Sequence, residues 1–196
     1  MIRNSAVALA ALMAAPVVSA DGFVQLGVGL GEFSNGGASN FSTHYSLRAE
    51  YGLNENLALG LRHVSDDFDD NGLEIDYTTL MGAWAFHNSD SSAARVGLLL
   101  ERQEGEQAGA SASDDAIGLM IGGSKQLGAG IELAIDLAYL NSQDDEEDIF
   151  DASLRVNFDL TDQVIVGIDY WSRNTSADNT ADADQDALSV TLGYAF

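Results

Sequence analysis

The 196-residue sequence has no cysteine, a single proline and only eight basic residues. Without cysteine there is neither a disulfide framework nor a lipid-anchored amino terminus. One proline leaves no Pro-rich linker, and the chain length suits one domain. Eight basic residues against thirty-one acidic ones give a net charge of −23. Nucleic acid is thereby excluded as a partner, because a phosphate backbone is bound by lysine and arginine. Beyond residue 20 no stretch is apolar and long enough for a membrane helix, which needs ~20 residues. What the chain does have is twenty glycines and a persistent alternation of apolar and small or polar residues, the pattern of β-strands.

Residues 1–20 read as a secretory signal. Arg3 supplies a positive start, Ala6 to Ala15 an apolar core, and Val18-Ser19-Ala20 a small-residue cleavage site after Pro16. The apolar run is too short to span a bilayer. Residues 21–196 are then the exported domain.

Ten strands follow. The first, about 22–33, alternates Val24, Leu26, Val28 and Leu30 with Gln25, Gly27, Gly29 and Gly31. The second, about 42–52, sets Tyr45, Leu47, Ala49 and Tyr51 against His44, Ser46, Arg48 and Glu50. The third, about 56–64, sets Leu57, Leu59 and Leu61 against Ala58, Gly60 and Arg62. In the fourth, about 74–87, Glu74, Asp76 and Thr78 share a parity with Trp84 and Phe86, a conflict that a β-bulge between them would resolve. The fifth and sixth, about 95–104 and 115–127, alternate in the same way. The seventh opposes Ile131, Leu133, Ile135, Leu137 and Tyr139 to Glu132, Ala134, Asp136 and Ala138. The eighth opposes Phe150, Ala152, Leu154, Val156 and Phe158 to Asp151, Ser153, Arg155, Asn157 and Asp159. The ninth opposes Val164, Val166, Ile168 and Tyr170 to Gly167, Asp169, Trp171 and Arg173.

The last segment, Asp186 to Phe196, places Leu188, Val190, Leu192, Tyr194 and Phe196 on one face and Ser189, Thr191, Gly193 and Ala195 on the other. A terminal aromatic with a second aromatic two residues before it resembles the closing strand of bacterial outer-membrane β-barrel proteins, a porin-like superfamily. The resemblance implies that Tyr194 and Phe196 form a signal read by the barrel-assembly machinery of that membrane. It also implies outer-membrane lipid and lipopolysaccharide as surroundings. The connections agree with it. Tight turns at 53–55, 128–130 and 161–163, and a slightly longer one at 88–94, alternate with longer polar loops near 34–41, 65–73, 105–114, 143–148 and 174–185. In such barrels short turns are periplasmic and long loops extracellular. Tyr51, Trp84, Phe86, Phe158, Tyr194 and Phe196 fall near one set of strand ends, and Tyr45, Tyr139, Phe150 and Tyr170 near the other, as two aromatic girdles. A secreted β-sandwich would also alternate, but the strands run near the ~9–11 residues of a tilted membrane strand. The fold expected is all-β, a transmembrane antiparallel up-and-down barrel of about ten strands, with eight as the alternative.

Three sets of residues invite a functional reading. Across the 161–163 turn Arg155 faces Asp169 and Asp151 approaches Arg173, while Asp136 lies beside Arg155. On the far side Arg48, Arg62, Glu50 and His44 form a smaller polar group, and the two groups make up a lumen charge set, read as a solute-selecting constriction or as the paired filling of a narrow interior. Asp67, Asp69 and Asn71, followed by Gly72, fit the first half of a calcium loop within 66–72. The bidentate glutamate is missing, with Thr78 in its place, and no other cofactor is indicated. The long loops hold many acids, among them Asp66, Asp67, Glu104, Glu106, Asp114, Asp115, Asp148, Asp184 and Asp186, suited to divalent cations bridging lipid phosphates or to plain solvation. For an enzyme the residues are poor. His63 has lipid-facing parity and no serine is singled out by spacing. The function expected is a structural or weakly channel-forming barrel. The alternative is a surface-interaction barrel whose acidic loops bind divalent cations, lipopolysaccharide or a partner.

Overall fold

A computed structural model describes residues 22–35, 38–68, 72–89, 91–107, 110–128, 130–142, 147–177 and 182–196. The signal-peptide segment lies outside them. Ten strands run in chain order: β1 Gly22–Asn35, β2 Ala38–Gly52, β3 Leu57–Phe68, β4 Leu73–Ser89, β5 Ser92–Gln107, β6 Ala110–Gly128, β7 Ile131–Ser142, β8 Glu147–Asp159, β9 Val164–Ala177 and β10 Ala183–Ala195. Each is antiparallel to its sequence neighbour, and β1 pairs with β10, so the sheet closes into a barrel without edges. Closure extends to the ends of the ladder: Gly22 and Phe196 exchange both backbone hydrogen bonds, at 3.0 and 2.9 Å.

The alternation read from sequence decides which way each side chain points. Most leucine, valine, isoleucine and aromatic residues face outward and are exposed, Leu30 by 74% and Val190 by 65%. In water such a surface would be an aggregation site; here it is the lipid-facing band of a membrane barrel. The tight turns are fixed by their own side chains. Asn54 Oδ1 accepts from the Asn56 and Leu57 N–H groups, Thr161 Oγ1 from those of Gln163 and Val164, and Gly130 supplies a left-handed φ of 72°.

Two expectations are corrected. In β4, Glu74, Asp76, Thr78, Leu80, Gly82 and Trp84 all share the outward face, while Tyr77, Thr79 and Met81 point inward. No parity shift separates Thr78 from Trp84. The bulge of this strand lies further on, between Ala85 and His87. Glu74 and Asp76 are polar because they lie beyond the lipid band, not because they face the lumen. The long loops are also mostly strand. β3 continues to Phe68 and β4 resumes at Leu73; β5 reaches Gln107 and β6 resumes at Ala110. In a closed ring every strand has a partner on both sides, so the hydrogen-bond ladder extends past the membrane regardless of side-chain polarity.

Candidate functional site

The interior is organised in tiers along the barrel axis. At the tight-turn end lies a vestibule of about 550 Å³, edged by Asn54, Asn56, Asn88 and Gln126 and reaching inward to Arg48, Glu50, Arg95 and Arg155. Beyond it is a mid-lumen chamber of about 90 Å³, bounded by Arg62, Asp136, Asp151, Asp169 and Trp171, with Met81, Leu99 and Met120 as an apolar wall. Gln25, Arg48 and Arg155 line both spaces and form the partition between them.

The charged side chains sort into two groups. Around Asp136 gather Arg155 at 2.8 Å, Arg95 at 3.1 Å and Arg48 at 3.4 Å, and Glu50 bridges Arg95 and Arg48 at 2.7 and 3.4 Å. Gly122 is the register partner of Asp136, and a Cβ there would overlap the aspartate Oδ1. Nearer the other end Arg173, only 2% exposed, donates to Glu101 at 2.6 Å and to Asp151 at 2.8 Å. Arg62 donates to Asp151, and Thr79 to Glu101. The Arg173 guanidinium also lies 4.1 Å over the Tyr77 ring, an attraction that strengthens where water is excluded.

At the level of this second group and above it the lumen is filled. Asp66 is fully buried and accepts from Ser42 and Gln185, and it pairs with His44 at 3.2 Å; Tyr77 in turn donates to Gln185 at 2.7 Å. Phe68, Leu140 and Ile149 have no exposed surface, and Phe33 meets Phe68 edge-on at 6.1 Å. All ten strands contribute a buried inward residue at this height: Gly31, His44, Asp66, Tyr77, Glu101, Ala116, Leu140, Ile149, Arg173 and Gln185. Among the described residues, side chains so completely covered pack as densely as the interior of a globular protein.

Of the nine lumen residues singled out by sequence, Arg155 joins Asp136, Arg48 joins Glu50 and Asp136, and Arg173 and Arg62 join Asp151. Asp169 is the exception. It stands directly opposite Arg155 in register, yet no hydrogen bond links them, and its Oδ1 is buried without a partner. The clamp of Arg155 between two carboxylates is thus one-sided in this structure, because the guanidinium turns toward β7. Arg62 and His44 also leave the group assigned to them: Arg62 crosses the lumen to Asp151 and His44 binds Asp66. Asp66, read as a rim acid, is a lumen residue. Arg95 and Glu101 were missed as members of the set. Their parity, shared with Gly97 and Leu99, marked them as inward, but their partners lie across the lumen.

Of the calcium half-motif, Asp69 and Asn71 lie outside the described residues. Asp67 is exposed opposite Glu74, and Gly72 makes a left-handed turn with φ 62°. Among the described residues no group of three or more metal-binding side chains occurs. Tyr194 and Phe196 face outward at the tight-turn end of the barrel.

A closed, lipid-banded barrel with girdles at both rims defines a transmembrane β-barrel protein. The chain belongs to the outer membrane protein beta-barrel domain family, whose sequence model matches residues 5–196, and its location is the bacterial outer membrane. No curated protein matches it. Among solved structures it is similar to Neisserial surface protein A, with 13% identity, 89% of this chain and 97% of that one covered, and a TM-score of 0.52. An outer-membrane channel from Pseudomonas putida F1 has 14% identity, 93% and 97% coverage and a TM-score of 0.51. The outer membrane protease OmpT from Escherichia coli has 10% identity, 92% and 99% coverage and a TM-score of 0.55. At these identities the likeness is one of fold.

Proposed function

We propose that this protein is a closed outer-membrane barrel, structural or at most weakly channel-forming, and not an enzyme. The observation that carries the reading is the filled tier of Arg173, Glu101, Asp151, Asp66, Phe68, Leu140 and Ile149, buried on every side. A solute entering the vestibule meets it as a dead end. The protease-like fold does not argue otherwise, because the His44–Asp66 pair is 2% and 0% exposed and out of a substrate's reach. Planar-bilayer recording tests the reading. The wild type should show rare or no conductance steps, and Arg173→Ala with Phe68→Ala should conduct steadily. Sustained porin-sized conductance by the wild type would overturn it.

A second reading is favoured by the outer wall above the lipid band. Asp67 faces Glu74, Glu74 faces Glu106, Asp76 faces Glu104, and Asp186 faces Glu32. Like charges directly opposed on neighbouring strands repel. Divalent cations shared with lipopolysaccharide phosphates would relieve that repulsion, which makes this wall a lipid-anchoring surface. The test is the melting temperature in lipopolysaccharide bilayers with and without magnesium. The ion should raise it for the wild type and not for Asp67→Asn with Glu74→Gln and Glu106→Gln. Export through the signal at 1–20 and delivery through the Tyr194 and Phe196 strand complete the proposal.

A further inference from the structure

The partition between vestibule and chamber holds an arginine with two possible counter-ions. Arg155 stands on β8 between a carboxylate on each neighbouring strand. Asp136 on β7 lies diagonal to it, opposite Ser153; Asp169 on β9 is its direct register partner. The side chain uses the first, at 2.8 Å. Directly opposed residues have Cβ atoms ~4.5–5.5 Å apart, well within the reach of an arginine.

We propose that Arg155 is a two-position switch. Paired with Asp136 it narrows the passage from the vestibule to the chamber; paired with Asp169 it opens it. The two positions are close in free energy for reasons visible in the contacts. When Arg155 leaves, Asp136 keeps Arg95 at 3.1 Å and Arg48 at 3.4 Å, so no carboxylate is stranded. When it arrives, Asp169 Oδ1 gains the partner it lacks, and an unmade hydrogen bond at a buried acceptor is what costs most. The other two members of the partition are each held by more than one partner. Gln25 is tied to Thr191 at 2.7 Å and to Asn157 at 3.2 Å. Arg48 makes long bonds to two acids, at 3.4–3.5 Å, and lies 5.6 Å from the Phe23 ring. Chamber access is therefore set by the relative pull of Asp136 and Asp169 on one guanidinium.

The inference rests on the closed-lumen reading, and its test has a readout separate from conductance. The natural chain has no thiol, so Ser153→Cys places a single one in the chamber wall. The rate at which a small water-soluble methanethiosulfonate labels it in detergent micelles reports passage through the partition, with folded mobility in cold-loaded gel electrophoresis as the control. Weakening one of two competing charge-assisted bonds should shift the populations about tenfold. Asp136→Asn should raise the labelling rate by about that factor, and Asp169→Asn should lower it similarly. Should Asp136→Asn fail to fold, Arg155→Gln decides instead: in that background labelling is fast and Asp169→Asn changes nothing. Equal rates in all variants, faster labelling in Asp169→Asn, or an effect of Asp169→Asn without Arg155 would each overturn the switch. Porin-like conductance of the wild type would instead remove the closed lumen, whatever the labelling shows.

Discussion

Replacing Arg173 with methionine should be among the most damaging single changes in the lumen. The methionine keeps much of the volume but removes the cation from two acids. Glu101 and Asp151 are 3% exposed each, and the guanidinium contacts them at 2.6 and 2.8 Å. Breaking a buried ion pair by deleting one partner costs ~3–5 kcal/mol, mostly because the remaining charge is left without compensation. The lower end applies here, since Arg62 still reaches Asp151 and lies 3.8 Å from Glu101. Adding Glu101→Gln and Asp151→Asn should recover part of the loss, and Arg62→Met on top of these most of the remainder, because a site with no charge strands none. An internal control exists on the outer wall. Arg102 donates to Glu104 at 2.7 Å, a bond of equal length, but both side chains are 56% exposed. Arg102→Met should leave stability unchanged, since water and side-chain entropy cancel such pairs. The assay is urea unfolding in lipid vesicles followed by tryptophan fluorescence. Equal losses for Arg173→Met and Arg102→Met, or strictly additive losses across the lumen series, would refute the reasoning.

The remaining expectations use the same titration. Ile135→Arg puts a cation on the lipid face and should cost ~2–4 kcal/mol; Ala134→Arg, one residue away and facing the vestibule, should cost clearly less. Equal penalties at the two positions would contradict the inward–outward assignment. Gly122→Val should push Asp136 off its arginines and cost ~1–3 kcal/mol as an overpacked site, whereas Gly105→Val, where a Cβ meets nothing within 4 Å, should be nearly silent. A mild Gly122→Val would mean that Asp136 has room to move.

Much of this protein follows from period-two alternation alone. Leu188, Val190 and Leu192 against Ser189, Thr191 and Gly193 is a pattern that only a strand with one lipid face satisfies so many times over, and ten such segments with short turns between alternate pairs leave few folds but a barrel. Neighbour pairs were legible for the same reason: once the 161–163 turn sets the register, Asp151 must face Arg173 and Arg155 must face Asp169. Alternation carries no signal for polar residues that leave the membrane, so Glu74 and Asp76 read as lumen residues and Asp66 as a rim acid. The tertiary structure alone decided the contacts across the lumen. Arg48 reaches Asp136, Arg62 reaches Asp151 and Arg173 reaches Glu101 between strands that are never neighbours in the sheet. Those distances exist only after ten strands close on one another, because the diameter of the ring, not the local sequence, sets which opposite walls a side chain can touch. Closure is also what turns inward Phe68, Leu140 and Ile149 from scattered apolar residues into a filled tier, and leaves Asp169 beside an arginine that binds elsewhere.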